Sequence, residues 1–389
     1  MSTLSRIRRT CCPSKELSIV TLGVILVGIV FLYYNSGQSN SFSRENKQFH
    51  RNNVLEEKLK SLKDGRKQEK VEEINILSTG EVHPKEVGGE NTPAAMDREL
   101  PEEINVIITF TNAHSSPSLQ RKFTVTVTTM LAATSAPLAL HILGDMESQK
   151  LAASIIKENV KSDNYRIVVL DIEDITHRLY DLVKDMQSKF SGQRSYYHDA
   201  LFFLSIAIHK VLPAHIHRVI MLDADLKFQG DIKDLYALFS NFSATNVMGI
   251  AHEAQPVYRH QFHQYRSQNK GTRVGEPPPN GLTGFNSGVL LLDIDRMRSS
   301  AVYNSLITAE VAEQLKKKYS FRGHLGDQCF FTLLSLEHED LFYVLPCNWN
   351  RQLCTWWKGK GYDDVFDLYF RCEGHINIYH GNCNTKIPD

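Results

Sequence analysis

The stretch RVIMLDAD, Arg218 to Asp225, decides the fold, because a short apolar run ends in two carboxylates spaced two residues apart. Arg218–Leu222 has the aliphatic make-up of a short buried strand. Asp223 and Asp225 follow it directly. On extended backbone, residues two apart point to the same side. Both carboxylates can then meet one hard divalent cation and leave positions open for two phosphate oxygens. Such an ion neutralises a diphosphate and stabilises it as it departs. Solvated loops also produce D-x-D by chance, and a turn or cap before Asp231 is the plain alternative. The strand context decides for metal.

Outward from this point, strands and helices alternate. Asn105–Thr111, Leu138–Leu143 and Tyr165–Ile172 read as strands, and a helix is expected from about Ser118 to Leu131. Tyr197–Leu212 has helical periodicity and is stopped by Pro213. Phe285–Leu292 is a further strand, ahead of a long helix from about Asp295 to Lys318. The alternation predicts one α/β domain over residues 104–389, with a mostly parallel sheet covered on both faces. In such sheets ligands gather beyond the carboxyl ends of strands, where the Asp-Ala-Asp triplet falls.

Three more pieces carry chemistry. In Gly284-Phe285-Asn286-Ser287-Gly288-Val289, Gly288 permits close backbone approach, and Asn286 with Ser287 offers neutral donors and acceptors suited to sugar hydroxyls. Alone, this would be an ordinary turn into a strand. Gly326-Asp327-Gln328 stands at a helix start, where Asp327 has the plain alternative role of a cap and Gln328 suits an anomeric carbon or acceptor hydroxyl. Tyr379-His380-Gly381-Asn382 lies near the C-terminus, where His380 can complete a two-Asp, one-His metal shell. Lys386, six residues later, can touch a leaving phosphate. An isolated histidine is usually structural, so this reading depends on the other motifs.

The flanks set the compartment. With 44 basic and 44 acidic side chains, no net field steers the chain onto nucleic acid. Residues 17–34 carry no charge and span roughly 27 Å as a helix, close to a bilayer core. Arg6, Arg8, Arg9 and Lys15 precede them, so residues 1–16 are expected in the cytoplasm and everything after 34 in a lumen. A cleaved signal peptide is the rival reading. The run is long for one, and Tyr33-Tyr34-Asn35 is a poor cleavage site. Residues 35–103 read as a flexible stem. Cys11 and Cys12 sit on the cytoplasmic side, where palmitoylation is possible. Cys347, Cys354, Cys372 and Cys383 crowd the C-terminus and suggest two disulfides in an oxidising lumen. Sequence does not choose among the three pairings, with a lean to 347–372 and 354–383. Asn241-Phe242-Ser243 is the only glycosylation sequon.

Taken in order, strand–D-x-D, F-N-S-G-V, G-D-Q and a C-terminal His with Lys at +6 resemble glycosyltransferase family 8, the glycogenin-like retaining enzymes. Order and rough spacing cover residues 104–389. The stretches MLDADLKF, GFNSGVLLLDIDRMR, GHLGDQCFF and LPCNWNRQLCTWWK are similar to those of members that add a terminal α-1,3-linked xylose to a xylose-glucose glycan on EGF repeats of Notch-type proteins. The resemblance implies a GT-A fold, UDP-xylose as donor, Mn²⁺ (with Mg²⁺ possible) as cofactor and the endoplasmic reticulum membrane as location, with the Golgi as the other option.

Carried across residue by residue, the resemblance makes Asp223, Asp225 and His380 the metal ligands. Thr109, Phe110 and Thr111 would hold the uridine, and Ala224, Asn286, Ser287, Gln328, Asn382 and Lys386 would surround the rest of UDP-xylose. Asp327 and Gln328 are the catalytic candidates, Gln328 as a positioner because an amide is a poor nucleophile. One departure matters: Cys383 and Ile387 stand where the family pattern has Gly and Pro. The Lys386 assignment is weakened by it, and a disulfide is expected to fix the backbone there instead. No nucleophile stands out beneath the anomeric carbon, so front-side attack is favoured over double displacement.

All three tryptophans, Trp349, Trp356 and Trp357, share one cysteine-flanked stretch, and Trp356 is the choice for acceptor contact. The loop from Glu253 to Pro279, with His260, Gln261, Phe262 and His263, is read as long and irregular enough to recognise a protein substrate. Two competing readings are another transferase of the same family and an inactive lumenal binding protein.

Overall fold

A computed structural model describes residues 103–190 and 203–388 of the chain. The expected tail, membrane span and stem up to residue 102, and the start of the Tyr197–Leu212 helix, lie outside the described residues. Among the described residues no helix is long and apolar enough to cross a membrane.

The chain begins with β1 (Ile104–Thr109), α1 (Pro117–Ala133), β2 (Leu138–Gly144), α2 (Met146–Asn159) and β3 (Tyr165–Asp171). Then come α3 (Ile172–Arg178), α4 (Tyr180–Phe190), α5 (Leu204–Ala207), β4 (Arg218–Leu222), β5 (Leu226–Phe228), α6 (Ile232–Ala237) and β6 (Met248–His252). The second half holds α7 (Val257–Gln261), α8 (His263–Gln268), β7 (Phe285–Asp293), α9 (Ile294–Ser299), α10 (Ala301–Leu306) and α11 (Ala309–Lys318). It closes with α12 (Asp327–Ser335), β8 (Phe342–Leu345), β9 (Arg351–Gln352), α13 (Asp363–Phe370) and β10 (Ile378–His380).

Seven strands form one sheet in the order β3-β2-β1-β4-β7-β6-β8. The half β3-β2-β1-β4 is parallel, as expected from the βα alternation. The other half is mixed, because β7 runs antiparallel to both β4 and β6. The reason lies in the excursion between β6 and β7. It leaves from the carboxyl end of β6 and returns to the same end, so that His252 pairs with Phe285. Without a crossover the returning strand has to run backwards. This reversal sets Val289 opposite Leu222 and brings the Phe285–Gly288 motif beside Asp223.

Both faces of the sheet are covered. Ile104, Val106 and Ile108 of β1 pack with Phe123, Val127 and Met130 of α1 and with Ile155 and Ile156 of α2. Ile107 faces the other way, into a core with Val183 and Met186 of α4, Ile294, Met297 and Phe330. The alternation of β1 between two apolar layers is what an α/β sheet requires.

Three expected elements are refined. The long helix from Asp295 to Lys318 is three short ones. Ser300 Oγ accepts from Tyr303 N–H at 3.1 Å and Thr308 Oγ1 from Val311 N–H at 3.3 Å, so each starts a new helix. The stretch 253–279 is irregular only in part: it contains α7 and α8, with Tyr258 and Phe262 fully buried, and lacks helix or strand from 269 onward. The Tyr197–Leu212 pattern continues, within the described residues, only as α5 and a single 3₁₀ turn over Ile208–Lys210.

A second, three-stranded sheet in the order β5-β10-β9 lies next to the triplet. Disulfides join Cys347 to Cys372 and Cys354 to Cys383, the pairing to which the sequence reading leaned. The second of these fastens the chain just beyond β9 to the chain just beyond β10.

Candidate active site

The triplet leaves β4 and is held on both sides. Asp223 N–H donates to the Gly288 carbonyl at 3.0 Å. Thr126 of α1 accepts from Leu226 N–H at 3.0 Å, and its hydroxyl lies 3.0 Å from the Ala224 carbonyl. Beyond the triplet, β5 pairs antiparallel with β10, setting His380 opposite Leu226. Gly381 N–H donates to the Asp225 carbonyl at 2.9 Å. The C-terminal histidine is thus placed by backbone pairing, 155 residues of chain notwithstanding, over the strand end that carries the carboxylates.

Asp223, Asp225 and His380 each offer a ligand atom, and these atoms lie within 4.8 Å of one another. His380 Nε2 is 3.5 Å from Asp223 Oδ2 and 3.3 Å from Asp225 Oδ1. The ring is buried, Asp225 is mostly buried and Asp223 is about half exposed, so the cluster is open on one side. Gly288 makes the arrangement possible: a Cβ there would lie 2.3 Å from His380 Cε1. Two carboxylates and an imidazole are a donor set that fits Mn²⁺ or Mg²⁺.

Electrostatics agree with a cation site whose own residues cover for the ion. Burial raises the Asp225 carboxyl, but His380 and Lys122 outweigh it and hold its pKa at about 2. Burial lowers the His380 imidazole, yet its bonds to Asp223 and Asp225 prevail and lift it to about 9. Lys122 of α1 reaches Asp225 Oδ2 at 3.2 Å and Asn384 at 2.9 Å. Sequence reasoning missed Lys122, and no local signal marks it, since a lysine on an amphipathic helix is ordinarily a solvated one.

The motif Phe285–Gly288 divides its labour. Ser287 Oγ donates to Asp327 Oδ1 at 2.9 Å, joining the start of β7 to the start of α12. Asp327 does not cap that helix; Gly326 is at the N-cap, and the Asp327 carboxylate is buried, accepting from Ser205, Ser287 and Gln328 N–H. Burial lifts its pKa to about 7 against those bonds. Gln328 is half-buried, and its Nε2 donates to the Tyr258 hydroxyl at 3.1 Å. Asn286 is buried and bonded to Asn350 and Glu253, so its side chain meets protein groups instead of presenting itself to solvent. Burial raises the Glu253 carboxyl to about 7. Neither Glu253 nor Asn350 was anticipated. A lone acid directly after buried strand β6 was a usable signal for the first; nothing local marks the second.

Other expected contacts fall in varied places. Thr111 Oγ1 donates to Asp145 Oδ2 at 3.0 Å, and several such bonds prevail over burial to hold the Asp145 carboxyl at about 2. Phe110 is buried and stacks on Phe123 at 4.1 Å, so only its backbone faces the sheet end. Ala224, the middle residue of the triplet, is buried. Asn382 Oδ1 accepts from Leu353 and Cys354 N–H at 3.0 and 2.9 Å, committing it to the β9–β10 junction. Lys386 is exposed on the final segment.

Of the acceptor residues, Trp356 is 59% exposed and His263 is exposed, whereas Gln261 is half-buried. Phe262 is fully buried, 4.8 Å from the Phe321 ring, and presents nothing to a partner. His260 lies 4.8 Å from Trp357 and bonds to the Tyr362 hydroxyl at 2.8 Å, so an aromatic cluster forms around Trp356 and Trp357. Trp349 belongs to the core.

Comparisons with known proteins point the same way as the geometry. Residues 111–366 match the sequence model described as Glycosyl transferase family 8. The chain is 46% identical over 298 residues to a Mus musculus protein named "Xyloside xylosyltransferase 1", covering 75% of this chain and 76% of that protein. The Homo sapiens protein of the same name is 46% identical over 297 residues, covering 74% and 76%. The crystal structure of mouse xyloside xylosyltransferase 1 in its apo form superposes with a TM-score of 0.71 at 47% identity, covering 74% of this chain and 100% of that one.

Proposed function

Because this chain belongs to glycosyltransferase family 8, we propose that it is a retaining xylosyltransferase, moving xylose from UDP-α-D-xylose to a xylosyl acceptor. The Asp223–Asp225–His380 cluster carries the reading. When bound there, Mn²⁺ would supply positive charge against the diphosphate as it leaves. Xylose as the sugar is supported by the likeness to relatives named xyloside xylosyltransferase. The acceptor is the xylose of a xylose-glucose glycan on an EGF repeat, and the product bond is α-1,3. The exposed Trp356 and its neighbours Trp357 and His260 support a site where a sugar can stack.

The chain's own residues orient and insulate. Asp223, Asp225 and His380 would hold the cation, and Ser287, one residue before the Gly288 that bonds Asp223, ties the start of β7 to the start of α12, where Gln328 lies. Asp327, already accepting three hydrogen bonds, is held by the protein and poorly placed to attack carbon. Front-side substitution follows. The acceptor oxygen bonds to C1 as the C1–O bond to phosphate breaks, and the departing phosphate oxygen takes the acceptor's proton.

The setting we propose is a single N-terminal span with a stem over 35–103 and the catalytic domain over 104–389 in the lumen of the endoplasmic reticulum. The two disulfides support an oxidising compartment. To test the reaction, full-length protein is incubated with Mn²⁺, an EGF repeat bearing xylose-glucose, and UDP-xylose, UDP-glucose or UDP-galactose in turn. Mass spectrometry of the repeat should show addition of one pentose from UDP-xylose alone, lost on chelation. Addition of a hexose, or transfer unaffected by chelation, would refute the proposal.

A further inference from the structure

His380 has to present one particular nitrogen to the carboxylates, and a run of buried groups behind the ring dictates which. The backbone N–H of Gly288 can only donate, and it donates to the Asn286 side-chain atom 3.1 Å away, which is therefore the oxygen Oδ1. The Asn350 atom 2.9 Å from that same oxygen must then be its nitrogen. This turns Asn350 Oδ1 toward His380 Nδ1, at 2.9 Å. An amide oxygen has no hydrogen to give, so Nδ1 carries the proton. In the neutral ring Nε2 is then the unprotonated nitrogen, free to ligate a cation shared with Asp223 and Asp225.

At the far end Asn286 Nδ2 donates to Glu253 Oε2 at 3.3 Å. Every donor points the same way, from the imidazole through two amides to a carboxylate. His380, Asn350, Asn286 and Glu253 are 3, 2, 6 and 4% exposed, so water does not substitute for any link. Glu253 Oε1 has no partner of good hydrogen-bond geometry among the described residues, and only Gln255 lies near enough to favour the charged form from that side. A buried carboxylate left half-satisfied is a poor choice for packing alone. Metal-binding histidines commonly give their second N–H to a carboxylate, which fixes the ring and strengthens the ligand. Here two amides stand between the histidine and the acid, in a directional chain whose members polarise one another.

We propose that Glu253, Asn286 and Asn350 are positioning residues forming an amide-relayed carboxylate–histidine arm, which fixes the tautomer and aim of His380 and thereby sets the affinity for the divalent cation. This rests on the metal site proposed above. The test titrates Mn²⁺ alone into the full-length protein and reads free Mn²⁺ by electron paramagnetic resonance. At pH 8, above the Glu253 pKa of about 7, Glu253→Gln keeps the volume and an acceptor but removes the charge, and should weaken binding about tenfold; Asn350→Leu removes the acceptor and should weaken it up to about 100-fold. Raising Mn²⁺ should restore transfer by Glu253→Gln, a recovery that general misfolding does not permit. Should Asn350→Leu fail to fold, Glu253→Gln decides. Wild-type affinity in Glu253→Gln, or in a folded Asn350→Leu, overturns the arm. Absence of Mn²⁺ binding by the wild type, as by the Asp225→Asn control, contradicts the metal site itself.

Discussion

At the scale of single residues, His380 has opposite requirements without and with the proposed cation. Asp223 and Asp225 overcome the cost of burial and hold its pKa at about 9, above the ordinary 6.5. A pKa raised by folding contributes stability that is fully present below 6.5 and is lost as pH rises through about 9. Ligation needs the neutral ring, so over the same window the cation must displace a proton. Mn²⁺ affinity should therefore rise from about pH 6.5 to about pH 9, by at most roughly tenfold per unit, while the metal-free protein loses stability. Mn²⁺ titrations and thermal unfolding across that range check both trends, and an affinity that falls with pH would contradict the assignment. Gly288→Ala offers a steric test. The new Cβ would sit 2.3 Å from the ring, and the strand cannot retreat while its carbonyl holds Asp223. The ring has to move, and transfer should fall about 100-fold.

Where a sequence motif had a structural context, the residues it named come together in the fold. The triplet followed a strand and His380 stood in a C-terminal motif, and the fold gathers all three. Phe110, Phe262 and Asn286 look like contact residues in a motif, but their side chains point into packed or hydrogen-bonded interior. A side chain's facing is set by tertiary pairing, and sequence spacing alone does not contain it. Lys122 and Asn350 were invisible for the same reason: each matters through a partner more than a hundred or about thirty residues away.

At the scale of elements, β10 matters most despite its three residues. It receives hydrogen bonds from β5 and β9, and Cys383 ties the segment after it to Cys354. Replacing both Cys354 and Cys383 by Ala opens a link between residues 29 apart and should cost about 3–4 kcal/mol. Because the link lies three residues from His380, Mn²⁺ binding should weaken as well. Thermal unfolding and Mn²⁺ titration of the double variant check this, and unchanged Mn²⁺ affinity would show that the strands alone place the histidine. Strand positions were legible from composition. The breaks at Ser300 and Thr308 were hidden, because a serine or threonine inside a helical pattern reads equally as a solvent-facing residue.

At the scale of the molecule, the sheet collects its chemistry along one edge. β1 and β4 end there by parallel pairing, and β7 begins there because it runs the other way. The α/β class followed from alternation, whereas the direction of β7 depended on where a 32-residue excursion returned, which no periodicity reports. One consequence is that the D-x-D and F-N-S-G motifs, about sixty residues apart, share one edge. The central claim is that this edge grips a sugar-nucleotide diphosphate through a cation on Asp223, Asp225 and His380. The most direct measurement compares xylose transfer from UDP-xylose by the wild type and by Asp225→Asn, both with Mn²⁺, with circular dichroism confirming that each is folded. The account predicts a loss of at least about 100-fold in the folded variant; transfer at the wild-type rate would contradict it.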